Sequence, residues 1–324
     1  MNVKRKIINP PIVDTLDSVI FGKLAIETYK DYLGNEETRY GGSIIYAART
    51  CACCKDNVAL VTKYNQDFNC IEKELFGKNT KLFLHQDKIT QKITTKITHL
   101  PPFNDDLLKY YEVQNTPLTI DNIPDLKAYN YIFLEGCLGD YDKELIIACS
   151  KLGRVALDAS AFLRSINEVT KILQFNDDNI LKELAPYCSF LKLSIDESYT
   201  LTGKIRPKEA CEIIKSWGAG EVIITKGNII CVMDANYNYI EERIVESLNL
   251  NRAYLDTTTF VSYVHQRLTA DPICSLYYAC ALGTLKLKRP GPLLCTKTDI
   301  DHYLKFFYYL QPVKVIEPVT DDLT

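Results

Sequence analysis

Ser18-Val19-Ile20-Phe21-Gly22-Lys23-Leu24-Ala25-Ile26, the pair Gly41-Gly42 leading into an apolar stretch from Ser43 to about Cys54, and Val58-Ala59-Leu60-Val61-Thr62 are the pieces whose reading decides the fold. The first is an apolar run of strand length. The second reads as a glycine turn followed by a helix with Ser43 at its N-cap. The third is short and apolar throughout, as a strand buried on both faces must be. Strand, glycine turn, helix and strand make a βαβ unit, which joins parallel strands.

The same alternation continues along the chain. Lys81 to His85, Tyr131 to Leu134, Val155 to Leu157, Phe190 to Leu193, Val222 to Thr225 and Ile229 to Val232 read as strands. Helical segments fall between most of them, at Lys143 to Lys151, Ile180 to Glu183 and Pro207 to Trp217. Lys92 to Thr98 alternates apolar and polar residues, so it is expected to be half exposed and antiparallel. From Phe260 onward the pattern is helical, with Pro290-Gly291-Pro292 as a break and a last helix near Thr298 to Phe307. The expectation is one α/β domain over residues 1–324. It has a mainly parallel central sheet flanked by helices, and a small β lid from about 25–40 and 88–100.

Composition narrows the function classes. The chain has 324 residues, 47% hydrophobic and 24% charged, with a net charge of -3. That is a globular composition, not a disordered one, and the charge argues against binding nucleic acid by bulk attraction. No apolar run reaches the roughly 20 residues of a membrane span, and no apolar signal core follows Lys4-Arg5-Lys6, so a cytoplasmic location without a membrane partner is expected. The 12 cysteines are scattered, and Cys51-Ala52-Cys53-Cys54 has no second pair at zinc-ribbon spacing, so reduced thiols are expected. Gly218-Ala219-Gly220 sits between a helix and a strand, where C-cap and turn glycines belong.

Five landmarks in order resemble the ribokinase (PfkB-type) family of sugar and nucleoside kinases: Phe21-Gly22 to Glu27-Thr28; Gly41-Gly42 to Ala48; Val58 to Lys63 with Asp67-Phe68; Leu191 to Glu197 with Leu201-Thr202-Gly203; and Ile223-Ile224-Thr225-Lys226-Gly227. The helical tail, Ala279 to Pro292, also fits. The resemblance covers about residues 17–310. It implies a ribokinase-like fold. It also implies ATP and Mg²⁺ as cofactors if the protein is active, and a sugar or nucleoside as ligand. By the same resemblance Glu27, Gly41, Gly42 and Tyr46 would face the substrate, Thr225 and Gly227 would border the nucleotide, and Glu197 would organise the metal. Asp158 and Arg164 would stand at strand ends facing the cleft.

One family element is missing. Phosphoryl transfer rests on position and charge: a base takes the hydroxyl proton and backbone N–H groups hold the transferred group. The family does both with G-A-G-D at a helix start, whereas this chain has Asn251-Arg252-Ala253-Tyr254-Leu255-Asp256-Thr257-Thr258-Thr259-Phe260. One alignment makes Asp256 the base; the other gives that place to Thr258. No glycine remains in either. With Asp drifted to Glu27 and Asn to Ser194, the sequence leans to a homologue with phosphotransfer lost or very weak. Such a protein would act by binding a ligand or as a subunit of an assembly, with a protein or ribonucleoprotein partner. Tyr277-Tyr278 and Phe306 to Tyr309 are candidate contact residues for a partner, and a dimer through lid strands is compatible with the pattern. The alternative is an active kinase using Asp256.

Overall fold

The computed structural model describes residues 18–30, 33–54, 56–64, 80–86, 90–97, 107–114, 116–124, 129–136, 138–176, 179–245, 252–289 and 291–310. Asp67-Phe68, Asn251, Pro290, the basic run at Lys4 and two of the cysteines (Cys70 and Cys137) lie outside them, as do the side chains of residues 90–97, 107–114 and 306–310.

The opening run is not one strand. β1 (Ser18–Lys23) belongs to a large sheet, and after Leu24 the chain enters β2 (Ala25–Lys30) of a small one. Leu24 and Ala25 are buried, and Lys23 is fixed beside them by an ion pair with Asp140 at 3.2 Å. β3 (Glu36–Gly41) returns antiparallel to β2 with Glu27 opposite Arg39. Helix α1 (Ser43–Cys53) follows, but Ser43 does not cap it. Gly42 is the N-cap, and the Ser43 hydroxyl instead donates to the Glu135 carbonyl at 2.7 Å.

β4 (Val58–Tyr64) and β5 (Thr80–Gln86) extend the large sheet parallel to β1. β6 (Thr90–Ile97) and β7 (Leu107–Gln114) complete the small sheet, in the order β3-β2-β6-β7. β6 pairs parallel to β2 and antiparallel to β7, so its expected antiparallel character holds on one edge only.

β8 (Tyr131–Glu135), α2 (Lys143–Ser150), β9 (Arg154–Asp158), the short α3 (Ser160–Leu163) and the ribbon β10 (Arg164–Ile166) and β11 (Leu173–Phe175) follow. Then come α4 (Ile180–Leu184), β12 (Phe190–Ser194), α5 (Ile195–Thr202), α6 (Pro207–Ser216), β13 (Glu221–Lys226), β14 (Ile229–Met233) and β15 (Tyr239–Arg243). The tail is helical: α7 (Leu255–Gln266), α8 (Pro272–Leu287) and α9 (Lys297–Leu310). Among the described residues the large sheet has nine strands in the order β15-β14-β13-β12-β9-β8-β1-β4-β5, with β13 to β5 parallel and β14 and β15 antiparallel.

Alternation along the strands builds two cores. Val19 and Phe21 pack on one face with Leu145, Ile214 and other residues of α2 and α6; Ile20 faces the other way, with Ile44, Phe260 and Leu276 of α1, α7 and α8. Burial on both faces explains the unbroken apolar runs of the parallel strands. Strand order reverses at β1, whose neighbours β8 and β4 are reached by connections in opposite directions. In such sheets the crevice at the carboxyl ends of those strands is where ligands bind.

Gly218-Ala219-Gly220 is a turn. Gly218 has φ 107, and a Cβ on Gly220 would stand 2.4 Å from the Ser189 carbonyl oxygen. Gly220→Ala therefore forces backbone apart between β12 and β13 and is expected to cost about 1–3 kcal/mol of stability, read as a lower denaturant midpoint.

Candidate functional site

The crevice is built where β1, β8, β9 and β12 end, with the start of α7 across from them. Glu27 leaves β2 toward the start of α1 and is only 2% exposed. Its Oε1 accepts the Gly42 N–H at 3.0 Å, and its Oε2 accepts the Tyr29 hydroxyl at 2.9 Å. The two glycines are what allow this approach. A Cβ on Gly41 would lie 2.1 Å from the Glu27 carboxyl carbon, and Gly42 has φ 95 with the Lys23 carbonyl 2.5 Å from any added Cβ. Only glycine fits both conditions.

Tyr254 closes this wall. It occupies the N-cap of α7 in a left-handed conformation, φ 55. Its hydroxyl donates a short hydrogen bond to Glu27 Oε1, and its ring stacks on Tyr46 with centroids 4.3 Å apart. Arg39 Nη2 reaches the Tyr46 hydroxyl at 3.3 Å, and the Lys286 ammonium lies over the Tyr46 ring at 5.5 Å. Burial, with Arg39 nearby, lowers the Lys286 ammonium to about 8. Burial and the Glu27 charge push the Tyr254 and Tyr46 phenols above their ordinary range, so both remain neutral.

Behind the aromatic pair is a charged cluster. Lys192, fully buried in β12, donates to Asp158 Oδ2 at 2.9 Å and to Asp256 Oδ2 at 2.6 Å. Burial alone would raise the Asp256 carboxyl and lower the Lys192 ammonium. Their mutual attraction wins, holding Asp256 well below the usual carboxylate range and Lys192 above its own. Glu135, at the end of β8, is fully buried with neither carboxylate oxygen hydrogen-bonded; burial, then the Asp158 charge, push its carboxyl well above 4.5.

The remaining sequence-predicted residues fall around this cluster. Asp256 stands in the first turn of α7 with its side chain 36% exposed. Thr258, its rival in the second alignment, is fully buried. Glu197 is sealed into α5, accepting from Arg164 Nε at 2.6 Å, Ser160 Oγ at 2.8 Å and the Ser194 N–H at 2.7 Å. Thr225 is at the end of β13, donating to the Leu193 carbonyl at 3.4 Å. Gly227 is in the β13–β14 turn with φ 61. Tyr277, a candidate contact residue, is buried.

These residues do not fit a divalent ion. Both Glu197 oxygens are engaged, an ammonium already bridges Asp158 and Asp256, and among the described residues no three His, Cys, Asp or Glu side chains are grouped to hold a metal. At the start of α7 the Leu255 N–H bonds the Arg252 carbonyl at 3.0 Å, and the Thr257 N–H faces the Asp256 carboxylate.

Lys192, Glu135 and the reach of Tyr254 to Glu27 were not legible as site features. A lysine inside Phe190-Leu191-Lys192-Leu193 was the available signal, since a lysine in a doubly covered strand must have buried partners.

Compared with solved structures, the chain has the ribokinase fold. It resembles a pyrophosphate-dependent kinase of the ribokinase family complexed with a pyrophosphate analog and myo-inositol (19% identity over 88% of this chain and 99% of that one, TM-score 0.77). It also resembles Arabidopsis thaliana ribokinase with ribose and ATP (13%, 90% and 99%, TM-score 0.67) and Escherichia coli phosphofructokinase-2 with fructose-6-phosphate (13%, 91% and 100%, TM-score 0.66). No family model and no curated protein matches the sequence. Among the described residues no helix is long and apolar enough to cross a membrane.

Removing the bridging cation isolates two carboxylates, one of them buried. Lys192→Ala is expected to lose about 3–5 kcal/mol by denaturant titration at neutral pH. Asp256 is the depressed group, so its share is fully present above its unfolded value near pH 4 and fades as pH falls below that. The gap between wild type and Asp256→Asn should narrow accordingly in acid.

Proposed function

We propose that this ribokinase-fold chain is a kinase homologue whose phosphotransfer is lost or very weak, acting through ligand binding or as a subunit of an assembly. The carrying observation is Tyr254. Its phenol takes the hydrogen bond of Glu27 and its ring covers Tyr46, so the chain supplies its own hydroxyl where a substrate hydroxyl would be recognised. In this reading Glu27, Gly41, Gly42 and Tyr46 form the polyol-facing wall, Thr225 and Gly227 border the donor side, and the small sheet is the lid. At the start of α7 the Leu255 N–H is spent on the Arg252 carbonyl and the Thr257 N–H faces Asp256, and losing one donor to a transferred phosphoryl commonly costs about a hundredfold in rate. Asp256, tied to Lys192, is a weak proton acceptor at neutral pH.

One observation favours the second reading, an active carbohydrate or nucleoside kinase with Asp256 as base. The Asp256 side chain is the exposed member of its cluster and occupies the first turn of α7. In that reading the donor is ATP, or pyrophosphate as in the structurally similar inositol kinase. Glu197, the residue that the resemblance gives to Mg²⁺, is the weak point.

Both readings are separated by assaying wild type, Tyr254→Gly and Asp256→Asn with ATP and pyrophosphate against myo-inositol, ribose and nucleosides. The expected outcome is no transfer by any of them. Polyol binding by calorimetry should be about tenfold or more tighter in Tyr254→Gly, because the competing phenol is gone. Transfer by wild type that Asp256→Asn abolishes would establish the kinase instead.

A further inference from the structure

Three cysteines crowd the end of α1, and the fold gives each a different environment. Cys51 is fully buried, and burial pushes its thiol well above its ordinary value. Cys54 receives the Tyr278 hydroxyl at 3.5 Å, and burial pushes it up too. Cys53 points the other way, toward the segment between α8 and α9. Its S–H donates to the Leu293 carbonyl at 3.7 Å, and its sulfur lies against Cys295, which contributes a hydrogen bond to it. Both Cys53 and Cys295 are half-buried at the rim of the Leu282, Leu293 and Ile300 cluster, within reach of a small solute.

The two thiols are not equivalent. The hydrogen bond from Cys295 outweighs burial and, with Arg49 one turn earlier in α1, lowers the Cys53 thiol to about 7, while the same bond raises that of Cys295. Cys53 is therefore the more readily ionised of the two thiols, with its partner thiol already against it. A thiolate is the nucleophile in thiol oxidation, and a neighbouring thiol resolves the product.

We propose that Cys53 and Cys295 are a reversible oxidation site, closed to a disulfide by a hydroperoxide. The Cys53 sulfur attacks the peroxide, the O–O bond breaks and an alcohol or water departs, leaving a sulfenic acid. The Cys295 sulfur then attacks the Cys53 sulfur, the S–O bond breaks, and the leaving hydroxide takes the Cys295 proton and departs as water. Two thiols are oxidised by two electrons and one hydroperoxide is reduced. The bond joins the end of α1 to the chain entering α9, two helical turns beyond Tyr46. The site does not depend on whether the cleft turns over a substrate.

The test uses the full chain, first reduced and then given a small excess of hydrogen peroxide, with peptides mapped under non-reducing conditions. The expected product is a Cys53–Cys295 linked peptide that dithiothreitol reverses. Iodoacetamide should alkylate Cys53 at pH 7 about tenfold faster than Cys51 or Cys54. In Cys295→Ser, dimedone should trap a sulfenic acid on Cys53. In Cys53→Ser, Cys295 should stay reduced under the same exposure. Oxidation spread over other cysteines without that linked peptide, or dimedone labelling elsewhere in Cys295→Ser, would overturn the assignment. The wild-type peptide map decides the matter even if a variant fails to fold.

Discussion

The Lys192 ammonium between Asp158 and Asp256 is the interaction on which the rest of the site depends. It joins the end of β9, the interior of β12 and the first turn of α7, three elements distant in sequence. A buried ammonium is costly unless its partners are close and well aligned, and here both are at hydrogen-bond distance. Once that bridge fixes the start of α7, the position of Tyr254 at its N-cap follows. The bridge also sets the charge state of the crevice. It keeps Asp256 ionised, while burial and the neighbouring Asp158 charge push the Glu135 carboxyl well up.

On the Glu27 side of the crevice, a second set of contacts works by packing and hydrogen bonding. Glu27 is placed by β2, given room by Gly41 and met by the Gly42 N–H at the start of α1. Tyr254 then joins α7 to the small sheet through the same carboxylate. One glutamate thus holds a strand, a glycine turn and a helix start together.

Much of the architecture was legible because burial on both faces writes itself into composition. Val58 to Thr62 and Tyr131 to Leu134 needed no context to be read as central strands. Edges were harder. Tyr239 to Arg243 and Leu107 to Gln114 are strands whose polar residues carry no such mark, and Ser18 to Ile26 conceals a crossing between two sheets at Leu24. In the site, Gly41-Gly42 and Glu27 could be found from the family resemblance. The partners of Asp256 could not, since ion pairs between β9, β12 and α7 leave no spacing in the sequence. Nor could the helix-capping box that Ser194 and Glu197 form, with Arg164 and Ser160 attached.

The three-way bridge also bears on how such a chain could change over generations. Replacing Tyr254 by a small residue opens the cleft but leaves Asp256 bound to Lys192. Replacing Lys192 frees Asp256 but strands Asp158 in the interior. Placing glycine before α7 leaves the Glu197 contacts with Arg164, Ser160 and Ser194 unchanged. Each change is neutral or harmful unless the others accompany it, because residues in one network do not contribute additively. The local packing therefore acts as a ratchet. It makes the present side-chain set easy to keep and an open, glycine-lined turn before α7 hard to reach by single steps.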